Sequence, residues 1–469
     1  MSNEEAQLLL QEMRDSSDDG ELFQRALDHA LEYLKHISGR RVAPSGEAIT
    51  ALENFREPLP ETIGEPFAII DQLHELGSPG TMAQTGGRFF GLVNGGALPS
   101  SLATRILADA WDQNAVLHAI SPVNAVIEEV CQNWLIDLLG LPAQTVAGFV
   151  SGTSMAIMCS LAAARWRLCE QYGFDFNTEG WRNAPNIRVV TGEQTHSTVM
   201  KAIALLGFGT AQVELVDVDE QGRLIAEKLP KLDDRTILIL QAGNVNSGAF
   251  DPLRKICKVA RQHKTWVHID GAFGLWAAAS KTLSHLTDGL ELAQSWSVDA
   301  HKTLNVPYDS GLFLCADKDA AINALQNSGA YIMYSDKRDG MLFTPEMSRR
   351  ARAIDLWGAL KYLGRDGVDL MVSTLHERAV QFADELADAG FNVLNDVVFN
   401  QVLVSVGDEQ KTHSIITHIQ NSGEAWVGGS NWFGKPVIRM SVCSWATTQG
   451  DVTRSVQAFI EARKRTESK

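Results

Sequence analysis

Apolar and polar positions change their period several times along the chain, and each change marks an element. Near the N-terminus Leu22, Phe23, Ala26, Leu27, Ala30, Leu31 and Leu34 recur at helical spacing, so residues 21–37 are predicted to form an amphipathic helix. A Pro- and Gly-bearing stretch at 41–66 follows and reads as an arm with little core of its own, expected to pack on another subunit. From 86 to 316 the pattern shifts to short β-rich runs, at 187–190, 213–216, 237–240, 266–269, 294–298 and 312–314, separated by helical segments. Continuous apolar strands alternating with helices indicate a mainly parallel sheet covered on both faces. The long apolar stretch 146–164 is punctuated by Gly148, Ser151, Gly152, Thr153, Ser154 and Ser160, and reads as strand, turn and helix rather than a membrane span. Helical periodicity returns at 345–364 and 368–389, the second ending at Gly390, and strands are expected again at 399–406, 425–427 and 437–442. The expected organisation is an N-terminal helical arm over 1–75, a large α/β domain over 76–344 and a smaller C-terminal α/β domain over 345–469.

Composition narrows the partners. With 469 residues, 45% apolar and 21% charged, the chain has the make-up of a soluble globular protein large enough for more than one core. A net charge of −16 argues against nucleic acid or an anionic membrane as the main partner, since either rewards a basic face. The six cysteines form no Cys-x-x-Cys pair, so neither a disulfide framework nor a structural metal site is expected, and a reducing, cytoplasmic location is the simplest reading. The acidic N-terminus lacks the basic and apolar regions of a signal peptide.

Chemistry concentrates where predicted strands end. Asp299-Ala300-His301-Lys302 follows the strand at 294–298, where a lysine would be partly desolvated and its amine available as a nucleophile. Asp270 closes the strand at 266–269, at the edge where open α/β sheets bind ligands, though an aspartate there also serves as a helix cap. Gly152, Thr153 and Ser154 open a helix after another strand; the exposed N–H groups and hydroxyls suit a phosphate, and equally an ordinary N-cap. His196 follows the strand at 187–190 and is either a ring catalyst or a hydrogen-bonded structural residue. The polar loop 241–251, containing Asn244, follows yet another strand and reads as a lining loop or a plain turn. There is no Walker lysine and no Gly-x-Gly-x-x-Gly after a strand.

These groups would converge on one edge of one sheet, and an anion turn, an imidazole, a carboxylate and a lysine are the parts a pyridoxal phosphate site requires. In order and spacing the segments resemble the pyridoxal-phosphate-dependent group II amino-acid decarboxylases, from about Arg88 to the C-terminus. The resemblance implies the aspartate aminotransferase-like fold type I, a homodimer and a pyridoxal 5'-phosphate cofactor. It implies Lys302 as the Schiff-base lysine, Asp270 as the partner of the pyridine nitrogen and His196 as the imidazole over the ring. Thr153 and Ser154, with Gly152, match the phosphate turn; Asp299 and His301 match residues that help hold the phosphate, and Asn244 falls in the lining loop. Gly86-Gly-Arg-Phe-Phe-Gly-Leu-Val-Asn94 resembles the segment at the pocket mouth, which implicates Phe90 and Asn94 in substrate binding. Arg439 matches an arginine that reaches a substrate carboxylate; its alternative is a structural ion pair.

Two departures matter. Asp299-Ala300 replaces an Asn-Pro common before His-Lys, and the segment 330–350 leaves Phe343 or Thr344 where family decarboxylases carry a proton-donating tyrosine, with Tyr331 and Tyr334 too early. The expected reaction is α-decarboxylation of an L-amino acid through a quinonoid intermediate. The alternatives are another reaction at Cα or Cβ (aldolase, lyase or oxidative deaminase) and a binding protein that keeps the fold.

Overall fold

The computed structural model describes residues 3–17, 20–326 and 337–468. Its centre is a seven-stranded sheet of β1 (Val146–Val150), β2 (Arg188–Gly192), β3 (Glu214–Val216), β4 (Thr236–Gln241), β5 (Trp266–Asp270), β6 (Ser295–Asp299) and β7 (Gly311–Cys315), in spatial order β1-β7-β6-β5-β4-β2-β3. The pairs from β3 to β6 are parallel and β7 alone runs against its neighbours. Strands β1, β4, β5, β6 and β7 are buried along their whole length, which is why apolar residues dominate them, with the polar His268, Ser295 and Ser297 enclosed among these. Both faces are filled: Leu238, Leu240, Val267, Ile269, Trp296 and Val298 enter one core, while Ile237, Ile239, Trp266 and Phe313 meet the helix Thr153–Glu170 on the other.

A second sheet, β8 (Asn392–Val393), β9 (Gln401–Ser405), β10 (Gly428–Trp432) and β11 (Lys435–Ser441), is wholly antiparallel in the order β10-β11-β9-β8. The helices Glu409–Ser422 and Gln449–Glu467 pack on it around Phe382, Phe459, Ile415 and Met440. The strand expected at 425–427 begins instead at Gly428, and the two helices expected at 345–364 and 368–389 lie within Ala353–Asp388, parted at Gly364, whose φ of 58° and ψ of −172° are not helical. That helix does not begin at Pro345 because the arginines before it face away from helical geometry toward acids: Arg349 to buried Glu128 at 2.7 Å, Arg350 to Asp355 at 2.7 Å and Arg352 to Asp309 at 3.1 Å. The helix also joins the two cores, contributing Val372 to the first and Leu375 to the second.

The N-terminal helix Gly20–His36 forms as its periodicity indicates but buries no residue; Phe23 is 64% and Leu31 53% exposed. It is tied to the helix Pro66–Gln72 and the turn after it by Arg25 and His29, both on Asp71, and by the stacked rings of His29 and His74. Among the described residues no helix is long and apolar enough to cross a membrane.

Candidate active site

The carboxyl ends of β1, β2, β4, β5 and β6 open on one cavity of about 490 Å³. Ser151, Gly152, Thr153 and Ser154, His196, Asp270, Asp299, His301, Lys302 and Arg439 all line it, so the groups expected from five separate segments meet there. The parallel topology produces this convergence, because each strand delivers its following loop to the same edge.

Lys302 sits in the turn after β6 with its side chain 20% exposed and Nζ 3.0 Å from Asp299 Oδ2. The turn is clamped: Ala300 N–H and His301 N–H donate to the Ser310 carbonyl at 3.0 and 3.2 Å, and Gly95 N–H to the His301 carbonyl at 3.3 Å. Position 95 must be glycine because a Cβ would overlap the Lys302 carbonyl oxygen. Gly311 of β7 serves the same end, since a Cβ there would run into the Gly152 backbone.

Asp299 joins the lysine to the turn at Gly152, Thr153 and Ser154. It accepts Thr153 N–H at 2.6 Å and the Thr153 hydroxyl, and lies 3.5 Å from His301 Nε2. His301 Nδ1 accepts Ser310 N–H at 3.1 Å, which leaves the ring proton on Nε2 facing Asp299; burial holds the imidazolium form down. Gly152 brings no side chain to cap the 18-residue helix Thr153–Glu170, so apart from the Thr153 N–H taken by Asp299 its positive end opens into the cavity.

His196 caps the helix Ser197–Leu205: its Nδ1 accepts Thr198 N–H at 3.2 Å and meets the Thr198 hydroxyl at 2.6 Å. The proton of the neutral ring therefore sits on Nε2. Burial, aided by the charges of Lys302 and Arg439, lowers its pKa to about 4, so it is an uncharged N–H donor at neutral pH. Asp270 is buried and pushed up to about 6, chiefly by desolvation, with Lys302 opposing. Its Oδ1 accepts from Ala272 N–H at 3.2 Å and the Ser297 hydroxyl at 3.4 Å.

Arg439 reaches the cavity from β11 of the second sheet. One N–H donates to the Val245 carbonyl at 3.1 Å, and among the described residues no carboxylate lies within ion-pair distance. The structural ion pair considered from sequence is thus not made.

Three expected residues stand elsewhere. Asn244 is off the cavity wall, its carbonyl oxygen accepting Asn246 and Ser247 N–H and its amide reaching the Gln194 carbonyl, so it shapes its own loop while Gly243 and Val245 face the cavity. Phe90 is turned into the second core against Phe382, with ring centres 5.0 Å apart. Asn94 touches the cavity indirectly, its Oδ1 accepting the Tyr308 hydroxyl at 2.9 Å. Phe343 and Thr344 are both buried away from the cavity, and Tyr331 and Tyr334 lie outside the described residues.

Sequence reasoning missed Tyr308, whose ring stacks on His301 at 4.2 Å, and Leu92 and Val93 at the mouth. Its position in the turn after Lys302 was a usable signal for Tyr308. Leu92 and Val93 carry φ of 52° and 60°, a strained conformation for bulky residues that no local sequence pattern announces.

The architecture is that of the aspartate aminotransferase-like fold type I, an α/β fold with a largely parallel central sheet. Residues 57–406 match the pyridoxal-dependent decarboxylase conserved domain, and the chain belongs to that family. It is 28% identical over 330 residues to the acidic amino acid decarboxylase of Mus musculus, covering 67% of this chain and 59% of that relative, less than two thirds of its length. It is 29% identical to the cysteine sulfinic acid decarboxylase of Mus musculus, covering 67% of this chain and 66% of the relative. With the aromatic-L-amino-acid decarboxylase of Bacillus atrophaeus it shares 28% identity over 77% of this chain and 75% of the relative. Among solved structures, Oryza sativa TDC with PLP and tryptamine superposes with a TM-score of 0.87 at 20% identity, over 96% of this chain and 98% of the other.

Proposed function

We propose that this chain is a pyridoxal-phosphate-dependent α-decarboxylase of an L-amino acid, acting as a cytoplasmic homodimer. The observation that carries the reading is the meeting of Lys302, Asp270, His196 and the N-terminus of the helix Thr153–Glu170 on one cavity wall. The residues fit the cofactor: the helix end with Ser154 and His301 suits a phosphate, Lys302 Nζ an aldehyde, and the buried Asp270 carboxylate a protonated ring nitrogen. When bound, pyridoxal phosphate supplies an electron sink for the pair released when the Cα–carboxylate bond breaks.

The side chains then divide the work. Lys302 would hold the cofactor through its amine, and Asp270 would keep the ring nitrogen protonated. His196, neutral and with its proton on Nε2, would offer a hydrogen bond to the bound group or the substrate. Arg439, the guanidinium left without a carboxylate, holds a substrate carboxylate. The exposed apolar residues of the N-terminal helix, Phe23 and Leu31 among them, support an arm that covers a second copy of the chain.

The proton that replaces carbon dioxide separates this reading from another reaction at Cα or Cβ. The burial of Phe343 and Thr344 favours that second reading, because neither brings an acid to the cavity, whereas the Tyr308 phenol on the wall favours the first. Incubating the purified protein with a panel of amino acids while measuring carbon dioxide, amine, aldehyde and ammonia decides between them. Amine and carbon dioxide in equal amounts are expected, with both lost in Lys302→Ala; aldehyde or ammonia as the main product would sink decarboxylation as the net reaction.

A further inference from the structure

Behind Asp270, on the side away from the cavity, a line of polar side chains runs between β5 and β6 through an otherwise apolar layer. Trp266 Nε1–H donates to Ser295 Oγ at 3.0 Å; Ser295 Oγ lies 3.1 Å from His268 Nδ1; His268 Nε2 lies 3.4 Å from Ser297 Oγ; and Ser297 donates to Asp270 Oδ1 at 3.4 Å. The register explains the alignment, since His268 pairs with Ser295 and Asp270 with Ser297, and alternate residues share a face. Every member is buried, and His268 and both serines have no exposed surface.

The ends of the line fix its direction. An indole N–H only donates and a carboxylate only accepts, so each hydroxyl passes its proton toward Asp270. Ser295 receives from Trp266 and donates to His268 Nδ1; His268 donates from Nε2 to Ser297; Ser297 donates to Asp270. This order needs a neutral imidazole, and burial, opposed only by the Ser295 backbone, keeps His268 neutral with a pKa of about 3. The charges that face Asp270 are Lys302 and Asp299, together with the neutral His196 across the cavity.

We propose that His268 is a positioning residue for the cofactor: through Ser297 it holds the Asp270 carboxylate anionic and aimed at the ring nitrogen. The inference rests on the pyridoxal phosphate reading above and names a residue that touches neither cofactor nor substrate. A chain of aligned hydroxyl and imidazole donors strengthens each successive bond, and the last of them stabilises the charged form of an acid that burial would otherwise protonate.

The test uses the full-length protein reconstituted with pyridoxal phosphate, and compares Ser297→Ala, His268→Leu and His268→Gln, the last of which keeps a neutral donor where Nε2 stood. Three quantities are read: the dissociation constant of the cofactor, the acid-side pH midpoint of its visible absorption when bound, and the melting temperature of the cofactor-free protein. Ser297→Ala and His268→Leu are expected to weaken cofactor binding about tenfold and to move the midpoint up by about one unit, with His268→Gln recovering most of both. A purely structural histidine would lower the melting temperature and leave affinity and midpoint unchanged; that result would overturn the proposal. Ser297→Ala removes a single hydroxyl, so it decides the matter even where a His268 variant does not fold. A wild-type protein that takes up no cofactor would overturn both this inference and the functional reading, whereas normal uptake with three unshifted variants would overturn this inference alone.

Discussion

Arg439→Met separates binding from folding. The guanidinium is largely buried, donates one hydrogen bond to the Val245 carbonyl and has no carboxylate partner among the described residues, while burial lowers its pKa. A structural brace between β11 and the loop after β4 would lose that bond, worth about 1 kcal/mol, and little else. A substrate anchor would lose a hydrogen-bonded charge pair, worth ~1.5–3 kcal/mol, which corresponds to a rise in KM of roughly tenfold to a hundredfold. Stability should move the other way, because methionine fills similar space without the cost of burying an unpaired cation; the melting temperature of the cofactor-free protein is expected to hold or rise. A further signature follows from His196, whose pKa of about 4 is held down by burial first and then by Lys302 and Arg439. Removing the Arg439 charge lets that imidazole protonate at higher pH, so the acid limb of the activity profile shifts upward. The assay is the initial rate of carbon dioxide release against substrate concentration across pH, paired with calorimetry. An unchanged KM and pH profile, with a melting temperature about 1 °C lower, would refute the anchor and leave Arg439 a brace.

Two other outcomes follow from buried groups. Asn305→Ala should destabilise the protein by about 3 kcal/mol or more, since its Oδ1 accepts Gly96 and Trp445 N–H at 2.5 and 3.0 Å and its amide donates to the Thr303 and Cys443 carbonyls at 2.8 and 3.0 Å; denaturant unfolding measures this, and a loss near zero would mean the loops around Lys302 re-pair without it. In the cofactor-free protein His196 and His268 stay neutral to about 4 and 3, while Asp251 and Asp270 hold protons up to about 6. Near pH 5 both states thus carry two protons on these four groups, the native state on its carboxyls and the unfolded state on its histidines, and stability is level there. Below about 4 the unfolded carboxylates protonate as well and stability should fall. Urea midpoints measured from pH 7 to 3 would show the plateau, and a steady decline beginning at pH 6.5 would contradict it.

What the sequence revealed and what it hid have the same physical origin. Strands buried on both faces are dominated by apolar residues, so β2, β4, β5 and β6 announced themselves, and with a parallel sheet inferred, the positions of His196, Asp270 and Lys302 at one edge followed. The side of a strand-like segment to which each residue turns did not follow. Arg88, anchored on the carbonyls of Ser38, Arg40 and Glu424, fixes the register of the segment after it, and this turns Phe90 inward against Phe382 and leaves Leu92 and Val93 at the mouth. Strand β10 was displaced in the reading because Gly428, Gly429, Ser430 and Asn431 are weak strand formers; its pairing with β11 is set instead by the two-residue turn at Phe433 and Gly434, both with positive φ. The arginines of 349–352 look helical in sequence, and only their distant acids show why the helix starts later.

Asp299 changes the account of the phosphate turn most. Thr153 and Ser154 looked equivalent in sequence, two hydroxyls at one helix end. The carboxylate at 299 breaks that equivalence by taking both the N–H and the hydroxyl of Thr153, and by drawing Lys302 Nζ to the same oxygen. An anion entering the cavity therefore meets a helix end already part-neutralised, with the first-turn N–H groups beyond Thr153, the Ser154 hydroxyl and His301 as the available donors. Two anions at one helix end repel, so a phosphate there would depend on those remaining donors and not on Thr153. The carboxylate that sets the lysine in place thus also occupies one end of the turn, and Asp299, not the serine-threonine turn by itself, orders the site.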